Sequence, residues 1–239
     1  MTFLVVPCYN EEKRLDIKAF QKALSPDLHI LFVDDGSKDR TVQMLKDNFG
    51  NNPYAHILPL AKNGGKAQAV RLGVLHLLKI PEAQKADWWG FWDADLSTDL
   101  NEIPQFLIYQ KTFAPQASVI CGSRVYRLGS KIRRSALRHY LGRGFATIVA
   151  HALQVEAYDT QCGAKLFKPF LAEKGFQESF ISPWIFDIEV LLRIGQDHAV
   201  EYPLAKWEDV PGSKVKIGRE IFRVLRDIWL IRQKYVSKF

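Results

Sequence analysis

The stretch FWDADLST, residues 91–98, decides how the fold is interpreted. It closes the apolar run WWGFW and then places two carboxylates, Asp93 and Asp95, two positions apart. Where a strand opens into a loop, side chains at i and i+2 can face the same side, and two carboxylates there can bind one hard divalent cation. The stretch therefore predicts a strand that ends at a site for Mg²⁺ or Mn²⁺, although an Asp-rich turn without function fits the same pattern.

Similar apolar runs recur along the chain and alternate with amphipathic stretches. Five of them are typical of strands: FLVVP from Phe3, HILFVDD from His29, HILPL from His56, WWGFWDAD from Trp88 and SVICGS from Ser118. Helical patterns lie between them, including EEKRLDIKAFQKAL and DRTVQMLKDNF, the second preceded by the N-cap candidates Ser37 and Asp39. This alternation predicts an α/β fold with a mostly parallel central sheet flanked by helices, whose ligands bind at the carboxyl ends of the strands.

Composition narrows the possible partners and compartments. The 239 residues, 47% of them hydrophobic, fit one globular domain, and the formal net charge of +7 favours an anionic partner. No RNP-like, zinc-finger or helix-turn-helix pattern supports nucleic-acid binding. The three widely spaced cysteines, Cys8, Cys121 and Cys162, favour neither a disulfide framework nor a zinc site, so a reducing cytoplasm is expected. No apolar segment approaches the ~20 residues that span a bilayer, so the chain is expected not to cross one.

Four motifs, in order, resemble those of family 2 glycosyltransferases with the GT-A fold. They are VVPCYNEE at 5–12, FVDDGSKDRT at 32–41, NGGKAQAVRLG at 63–73 and WDADLST at 92–98. Four later motifs are similar to those of the polyprenyl-phosphate branch: GSRVYRLG, RRSALRHYLGRGF, DTQCGAKLF and WIFDIEVLLR. They resemble dolichyl-phosphate β-glucosyltransferases more than dolichol-phosphate mannosyltransferases. The resemblance implies a GT-A domain over residues 1–217. It also implies transfer of a sugar, with inversion, to a polyprenyl or dolichyl phosphate. Glucose from UDP-glucose is favoured over mannose from GDP-mannose as that sugar.

The resemblance also assigns the donor site by position. It implies contacts to the nucleotide sugar from Pro7, Tyr9, Glu11, Asp35, Lys66 and Asp93. It implies that Asp95 and Asp93 hold Mg²⁺ or Mn²⁺, with Asp95 as the more direct ligand and Asp93 nearer the ribose or sugar. From the residues alone, Asp35 and its neighbours also fit a capping turn before the next helix, and both roles can coexist.

The acceptor site rests on arginines. The resemblance implies that Arg124, Arg138 and Arg143 bind the lipid phosphate, for which the planar guanidinium is suited. Gly142 stands where the mannosyltransferases have a serine, so a hydroxyl contact is either missing or supplied by Ser135. A solvated basic helix face is the alternative interpretation of these arginines.

The roles of Asp187 and Glu189, in WIFDIEVLLR, stay open between a contact to the sugar or a catalytic base and a structural pairing with Arg193 or a nearby lysine. A phosphate monoester, with a second pKa of about 6, is already anionic near neutral pH, so it needs no base. The alternative activity, transfer to a glycan or protein hydroxyl, would need one. A non-catalytic sugar-nucleotide-binding membrane adaptor is a further alternative, which the presence of both Asp93 and Asp95 disfavours.

Residues 218–239, GREIFRVLRDIWLIRQKYVSKF, combine apolar residues at helical spacing with many arginines and lysines. Such a basic amphipathic helix either lies on a membrane surface or packs against the core. Related enzymes often carry spanning helices, and this sequence has none. We therefore expect peripheral association with the cytoplasmic face of a membrane, or recruitment by a separate membrane protein.

Overall fold

The computed structural model describes residues 1–133, 136–208 and 217–236. The strands are β1 (Thr2–Cys8), β2 (Leu28–Asp34), β3 (Ala55–Pro59), β4 (Trp88–Trp92), β5 (Val119–Ser123), β6 (Lys131–Arg133), β7 (Ala164–Phe167), β8 (Ala199–Pro203) and β9 (Lys206–Glu208). The α-helices are α1 (Ile17–Ala23), α2 (Thr41–Phe49), α3 (Lys66–Leu77), α4 (Pro81–Gln84), α5 (Glu102–Phe113), α6 (Ala136–Leu153), α7 (Ala172–Phe176), α8 (Phe186–Ile194) and α9 (Ile217–Tyr235). Every strand expected from an apolar run is present.

A seven-stranded sheet in the order β3-β2-β1-β4-β7-β5-β8 forms the centre of the protein. Neighbouring strands from β3 to β4 run parallel, and β5 runs parallel to β8. Only β7, among these seven strands, is antiparallel to its neighbours β4 and β5. The mostly parallel sheet is therefore confirmed. A separate two-stranded sheet pairs β6 with β9.

The sheet is buried on both faces, which explains why its strands read as continuous apolar runs. Side chains alternate between faces along a strand. In β1, Phe3 and Val5 join a core with α3, α7, α8 and α9, whereas Leu4 and Val6 join a core with α1, α2 and α5. Helices thus cover both faces, as predicted.

Helix α1 is shorter than its sequence pattern predicts. It begins at Ile17, where the Asp16 side chain caps it by accepting a hydrogen bond from the Ala19 amide at 3.0 Å. The preceding backbone is bonded elsewhere, since the Glu11 amide donates to Thr41 Oγ1 at 2.8 Å. The N-cap of α2 is Arg40, not the expected Ser37 or Asp39. Contacts between the loops after β1 and β2 therefore override the local helical pattern.

Helix α9 has two different faces. Its inner face contributes the buried residues Val224, Ile228 and Ile231 to the main core. Its outer face exposes a stripe of large apolar side chains, which are Phe222, Leu225 and Trp229. Packing against the core, one of the two sequence-based alternatives for this segment, therefore holds for the inner face, while contact of the exposed outer face with a membrane stays a prediction. None of the described helices is both long enough and apolar enough to cross a bilayer.

Candidate active site

The carboxyl ends of β1, β2 and β4 bring the predicted donor residues to one edge of the sheet. The register pairs Cys8 with Asp34, and the Asp35 amide donates to the Cys8 carbonyl at 2.8 Å. Asp93 follows β4 directly, next to β1 in the sheet. Parallel strands that end together thus collect polar loops from distant parts of the sequence, as the alternating pattern predicts.

Asp35 organises the glycine-rich loop before α3. Its two carboxylate oxygens accept hydrogen bonds from the amides of Gly64 and Gly65, each at 2.8 Å. Gly65, the N-cap of α3, has a φ of 84°, a conformation that favours glycine. Burial raises the pKa of Asp35, and these two backbone hydrogen bonds oppose that effect. The carboxylate therefore fixes the entry to α3, whereas the capping turn that the sequence allowed here would precede α2, the next helix in the chain.

Lys66, the first residue of α3, reaches across to Asp93 of the Asp-Ala-Asp stretch. Its Nζ lies 2.5 Å from Asp93 Oδ1, and both side chains are more than one-third exposed. The loop that carries Asp95 is ordered by two further hydrogen bonds. The Ser97 amide donates to Asp95 Oδ1 at 3.0 Å, and the buried Trp92 Nε1 donates to the Thr98 carbonyl at 2.7 Å. Both carboxylates of the motif are held in place at an open edge of the sheet.

The carboxylates fit a divalent cation that is shared with a ligand. Asp93 and Asp95 offer hard oxygen donors of the kind that Mg²⁺ and Mn²⁺ accept. Within residues 1–133, 136–208 and 217–236, no group of three or more His, Cys, Asp or Glu side chains could hold a metal by itself. Mg²⁺ is commonly bound by one or two carboxylates together with substrate phosphates, and this donor set matches that mode.

The remaining donor candidates lie at the end of β1. Pro7 is within the strand and partly buried, and Tyr9 follows it with 40% of its surface exposed. Glu11 is partly buried, with Arg14 Nε at 3.7 Å from its Oε2. Burial raises the pKa of Glu11, and Asp95 adds to this while Arg14 opposes it. The loops after β1, β2 and β4 and the glycine-rich loop before α3 therefore share one edge of the sheet.

A second loop, before β7, lies directly against Asp93. The Gly163 carbonyl accepts a hydrogen bond from the Asp93 amide at 3.0 Å. A Cβ atom at position 163 would collide with the Asp93 carboxylate, so only glycine fits beside it. This contact connects Asp93 and the Asp-Ala-Asp stretch to the DTQCG segment.

Lys165, in β7, bonds to the backbone of that loop and fixes it. Its Nζ bonds to the carbonyls of Thr160 at 3.1 Å and Cys162 at 2.6 Å. It also bonds to Asp187 Oδ1 at 2.6 Å, and the two side chains are only 4% and 5% exposed. Burial, the largest single effect, would lower the pKa of Lys165, but Asp187, Cys121 and Cys162 together outweigh burial and raise the pKa. Asp187 is thus bonded to a buried lysine, one of the two roles that the sequence left open.

Arg124 and Arg143 meet at consecutive residues of the same segment. Arg124 binds Asp159 bidentately, Nε to Oδ2 at 2.5 Å and Nη2 to Oδ1 at 2.7 Å. Arg143 Nη1 donates to the Tyr158 carbonyl at 2.6 Å, and its guanidinium lies 3.5 Å from the centre of the Tyr158 ring. Burial alone would raise the pKa of Asp159, but the hydrogen bonds from Arg124 lower it to about 2. The two arginines therefore contact neighbouring residues of this loop, and each is already engaged there.

Two acceptor candidates cannot be described in the same way. Ser135 lies outside the described residues. Arg138 belongs to α6, but its side chain is outside the described part of the structure. Conversely, Lys165 and Asp159 were assigned no role from sequence. The only signal for them was the motif DTQCGAKLF, which contains both.

Comparison with known proteins gives the family. Residues 3–176 match the family described as "Glycosyl transferase family 2". The chain is 31% identical to "Dolichyl-phosphate beta-glucosyltransferase" of Dictyostelium discoideum, over 98% of this chain and 74% of that protein. It is 30% identical to the proteins of the same description from Saccharomyces cerevisiae and Homo sapiens, over 98% of this chain and 74% and 75% of theirs.

Solved structures give the fold. Glucosyl-3-phosphoglycerate synthase from Mycobacterium tuberculosis, in complex with Mn²⁺, UDP-glucose and phosphoglyceric acid, superimposes with a TM-score of 0.67. It is 16% identical, over 97% of this chain and 79% of that one. TarS from S. aureus, in complex with UDP-GlcNAc, gives 0.59 at 15% identity over 99% and 68% of the two chains. These are GT-A structures, which confirms the predicted fold. The chain belongs to glycosyl transferase family 2 and is a glycosyltransferase.

Proposed function

We propose that this protein transfers glucose from UDP-glucose to a polyprenyl or dolichyl phosphate, with inversion at the anomeric carbon. The observation that carries the proposal is the Asp93–Asp95 pair, which lies at an open sheet edge with Lys66 and the glycine-rich loop beside it. Relatives described as dolichyl-phosphate beta-glucosyltransferases align with almost the whole chain, and this likeness favours UDP-glucose over GDP-mannose.

The donor would be held by the loops at the ends of β1, β2 and β4. We assign Asp95 and Asp93 to a divalent cation, Mg²⁺ or Mn²⁺, which when bound stabilises the charge on the departing nucleoside diphosphate. Pro7, Tyr9, Glu11 and Asp35 would contact the nucleoside. Lys66 would add a positive charge near the phosphates.

The acceptor phosphate would be recognised by Arg124, Arg138 and Arg143, with Ser135 as a candidate hydroxyl donor. Arg124 and Arg143 converge on adjacent residues, Asp159 and Tyr158. Two guanidinium groups that contact adjacent residues of one loop favour an anionic ligand, because their planar donors match phosphate oxygens. Arg124 is already paired with Asp159, so its contribution would come from its charge and its remaining donors.

The chemistry requires no protein base. The acceptor phosphate is itself an anionic nucleophile near neutral pH. Asp187 is a poor candidate for a base because its side chain is 5% exposed and its carboxylate is bonded to Lys165. This weighs against the alternative of a glycan or protein hydroxyl acceptor, which would need a base.

A membrane surface is the natural location for a lipid acceptor, and α9 is suited to reach it. We assign residues 1–217 to the transferase domain and residues 218–239 to a surface helix. The exposed stripe on α9 has Arg226 beside it, an exposed cation that favours anionic headgroups. We propose peripheral association with the cytoplasmic face. Co-sedimentation with anionic vesicles that is unchanged in Trp229→Ser would contradict this role for α9.

The direct test is transfer of labelled glucose from UDP-glucose to a short polyprenyl phosphate, with Mn²⁺ or Mg²⁺ and with EDTA. The matched acceptor control is the same polyprenol without its phosphate, and GDP-mannose is the matched donor control. We expect a glucosyl lipid only with the phosphorylated acceptor, UDP-glucose and metal. Label on the unphosphorylated polyprenol, or none on any lipid while UDP still binds, would contradict the proposed acceptor.

A further inference from the structure

Residues 178–184 form a wall against the first turn of α3. A pocket between the two is lined by Gly64, Ala67, Gln68, Ser179, Phe180 and Pro183. The same turn of α3 carries Lys66 to Asp93 and is fixed by Asp35. The α3 residue Arg71 also donates to the Gln177 carbonyl, just before the wall. The wall therefore borders the proposed donor site.

Arg193, in α8, holds this wall in place. Its Nη1 donates to the carbonyls of Gly175 at 3.1 Å and Glu178 at 2.8 Å, and its Nη2 donates to the Ser179 carbonyl at 2.9 Å. The guanidinium also pairs with Glu189 at 2.7 Å, and the two side chains are 5% and 0% exposed. A planar fork of donors is needed for so many simultaneous bonds, and lysine cannot provide it.

Glu189 holds the wall from the same side. Its Oε2 accepts a hydrogen bond from the Ile181 amide at 2.8 Å, while its Oε1 pairs with Arg193. The backbone of the first part of the wall, residues 178–181, is thus bonded to both members of a buried ion pair. A buried pair of this kind keeps its geometry because every bond lost would leave a charge without a partner.

The C-terminal helix α9 joins this network through its last turn. The Tyr235 hydroxyl accepts a hydrogen bond from Arg193 Nε at 3.0 Å and donates to Glu189 Oε1 at 3.2 Å. Lys234 Nζ lies 2.7 Å from Glu178 Oε2, at the start of the wall. The inner face of α9 is therefore bonded to the same groups that hold residues 178–181.

We infer that Arg193 and Glu189 are positioning residues for the donor site, and that Tyr235 makes α9 part of that positioning. The inference rests on the proposed function, because it treats the pocket beside α3 as space for the hexosyl group of the donor. The nucleoside and diphosphate groups are assigned to other loops. Loosening the wall should therefore weaken binding of UDP-glucose more than binding of UDP.

The experiment measures the dissociation constants of UDP and of UDP-glucose by calorimetry with Mn²⁺, in the full chain, for wild type, Arg193→Lys and Tyr235→Phe. We expect Arg193→Lys to weaken UDP-glucose binding by about two- to tenfold, which corresponds to about one net hydrogen bond, and to change UDP binding less than about twofold. Tyr235→Phe, which keeps the ring and removes only the hydroxyl, should act in the same direction with a smaller effect.

Arg232→Ala is the matched control on α9. Arg232 Nη1 donates to the Ala152 carbonyl of α6, so this change removes an attachment of α9 at a residue outside the wall. We expect it to leave the ratio of the two dissociation constants unchanged. If Arg193→Lys and Tyr235→Phe lower only the melting temperature and leave that ratio unchanged, the positioning role is wrong. If Arg193→Lys does not fold, the ratio of the two dissociation constants in Tyr235→Phe decides whether the positioning role holds. If wild type binds neither nucleotide, the proposed function itself fails.

Discussion

Two lysine–aspartate pairs, one exposed and one buried, lie close to the metal motif and have opposite environments. The exposed pair, Lys66 with Asp93, has side chains 40% and 35% exposed at the edge of the sheet. The buried pair, Lys165 with Asp187, has side chains 4% and 5% exposed beneath the loop before β7. The residue types and the distances, 2.5 and 2.6 Å, are nearly the same.

The difference in solvent access determines what each pair can do. Charges in water interact weakly and exchange partners at little cost, so Asp93 can turn from Lys66 to a cation or a ligand. A buried pair cannot separate without leaving a charge in an apolar environment, so Asp187 stays with Lys165. The exposed pair is therefore suited to binding and the buried pair to scaffolding.

The largest effect is expected from breaking the buried pair. Lys165→Met would leave Asp187 buried without a partner and should lower the free energy of unfolding by about 3–5 kcal/mol. Urea denaturation measures this. The double change Lys165→Met with Asp187→Leu removes both charges and should recover most of the loss. If the single change costs less than about 1 kcal/mol, the pair is not the scaffold that its burial indicates.

The next largest effect is expected at the exposed edge, on activity and not on stability. Asp95→Ala should lower kcat by about 10²–10³-fold, because it removes a carboxylate assigned to the metal, while the melting temperature changes little. Asp99→Ala is the matched control, since Asp99 is an exposed carboxylate in the same loop. Equal losses in the two variants would contradict a specific role for Asp95.

A third pair, Arg124 with Asp159, is nearly as buried as Lys165 with Asp187. Its contribution to the free energy of unfolding should depend on pH. The pKa of Asp159 is lowered to about 2, so its stabilisation is complete above the unfolded pKa of about 3.9 and is lost as pH falls toward 2. Arg124→Gln should remove that contribution. Its deficit in unfolding free energy should be about 2 kcal/mol above pH 4 and should shrink toward pH 2. Urea unfolding between pH 2 and 6 measures it, and a deficit independent of pH would contradict the pairing.

The smallest effect is expected from the exposed lysine. Lys66→Met removes a pair that is more than one-third exposed, so the free energy of unfolding should change by less than about 1 kcal/mol. Measured in the same urea series as Lys165→Met, it provides the direct contrast between the two lysines. A loss as large as that of Lys165→Met would mean that exposure does not separate them.

The sequence predicted the strands well where burial on both faces leaves a continuous apolar run. The runs at Phe3, His29 and Trp88 each became a strand of the sheet, and the polar residues that follow them met at one edge. Strand β7 was not predicted. It has four residues, one of them Lys165, and its antiparallel insertion between β4 and β5 leaves no periodic pattern to recognise.

In the candidate site, too, only residues that carry a local sequence pattern could be predicted. Asp93 and Asp95 could be found because their spacing and the preceding strand carry the signal. The role of Asp187 could not, because its partner Lys165 lies 22 residues earlier in another element, and only folding brings the two together. The length of α1 was missed for a similar reason, since the Glu11 amide is bonded to Thr41 from the next loop.

The most direct measurement of the contrast between the pairs is the gain in UDP affinity caused by Mn²⁺, determined by calorimetry for wild type, Asp93→Asn and Asp187→Asn. Asn at 187 keeps an oxygen that can accept from Lys165. We expect Asp93→Asn to lose about tenfold or more of the metal-dependent gain with little change in melting temperature. We expect Asp187→Asn to lower the melting temperature while the folded protein keeps most of the gain. If Asp93→Asn keeps the gain and Asp187→Asn loses it without destabilisation, the buried carboxylate is the functional one and the account is wrong.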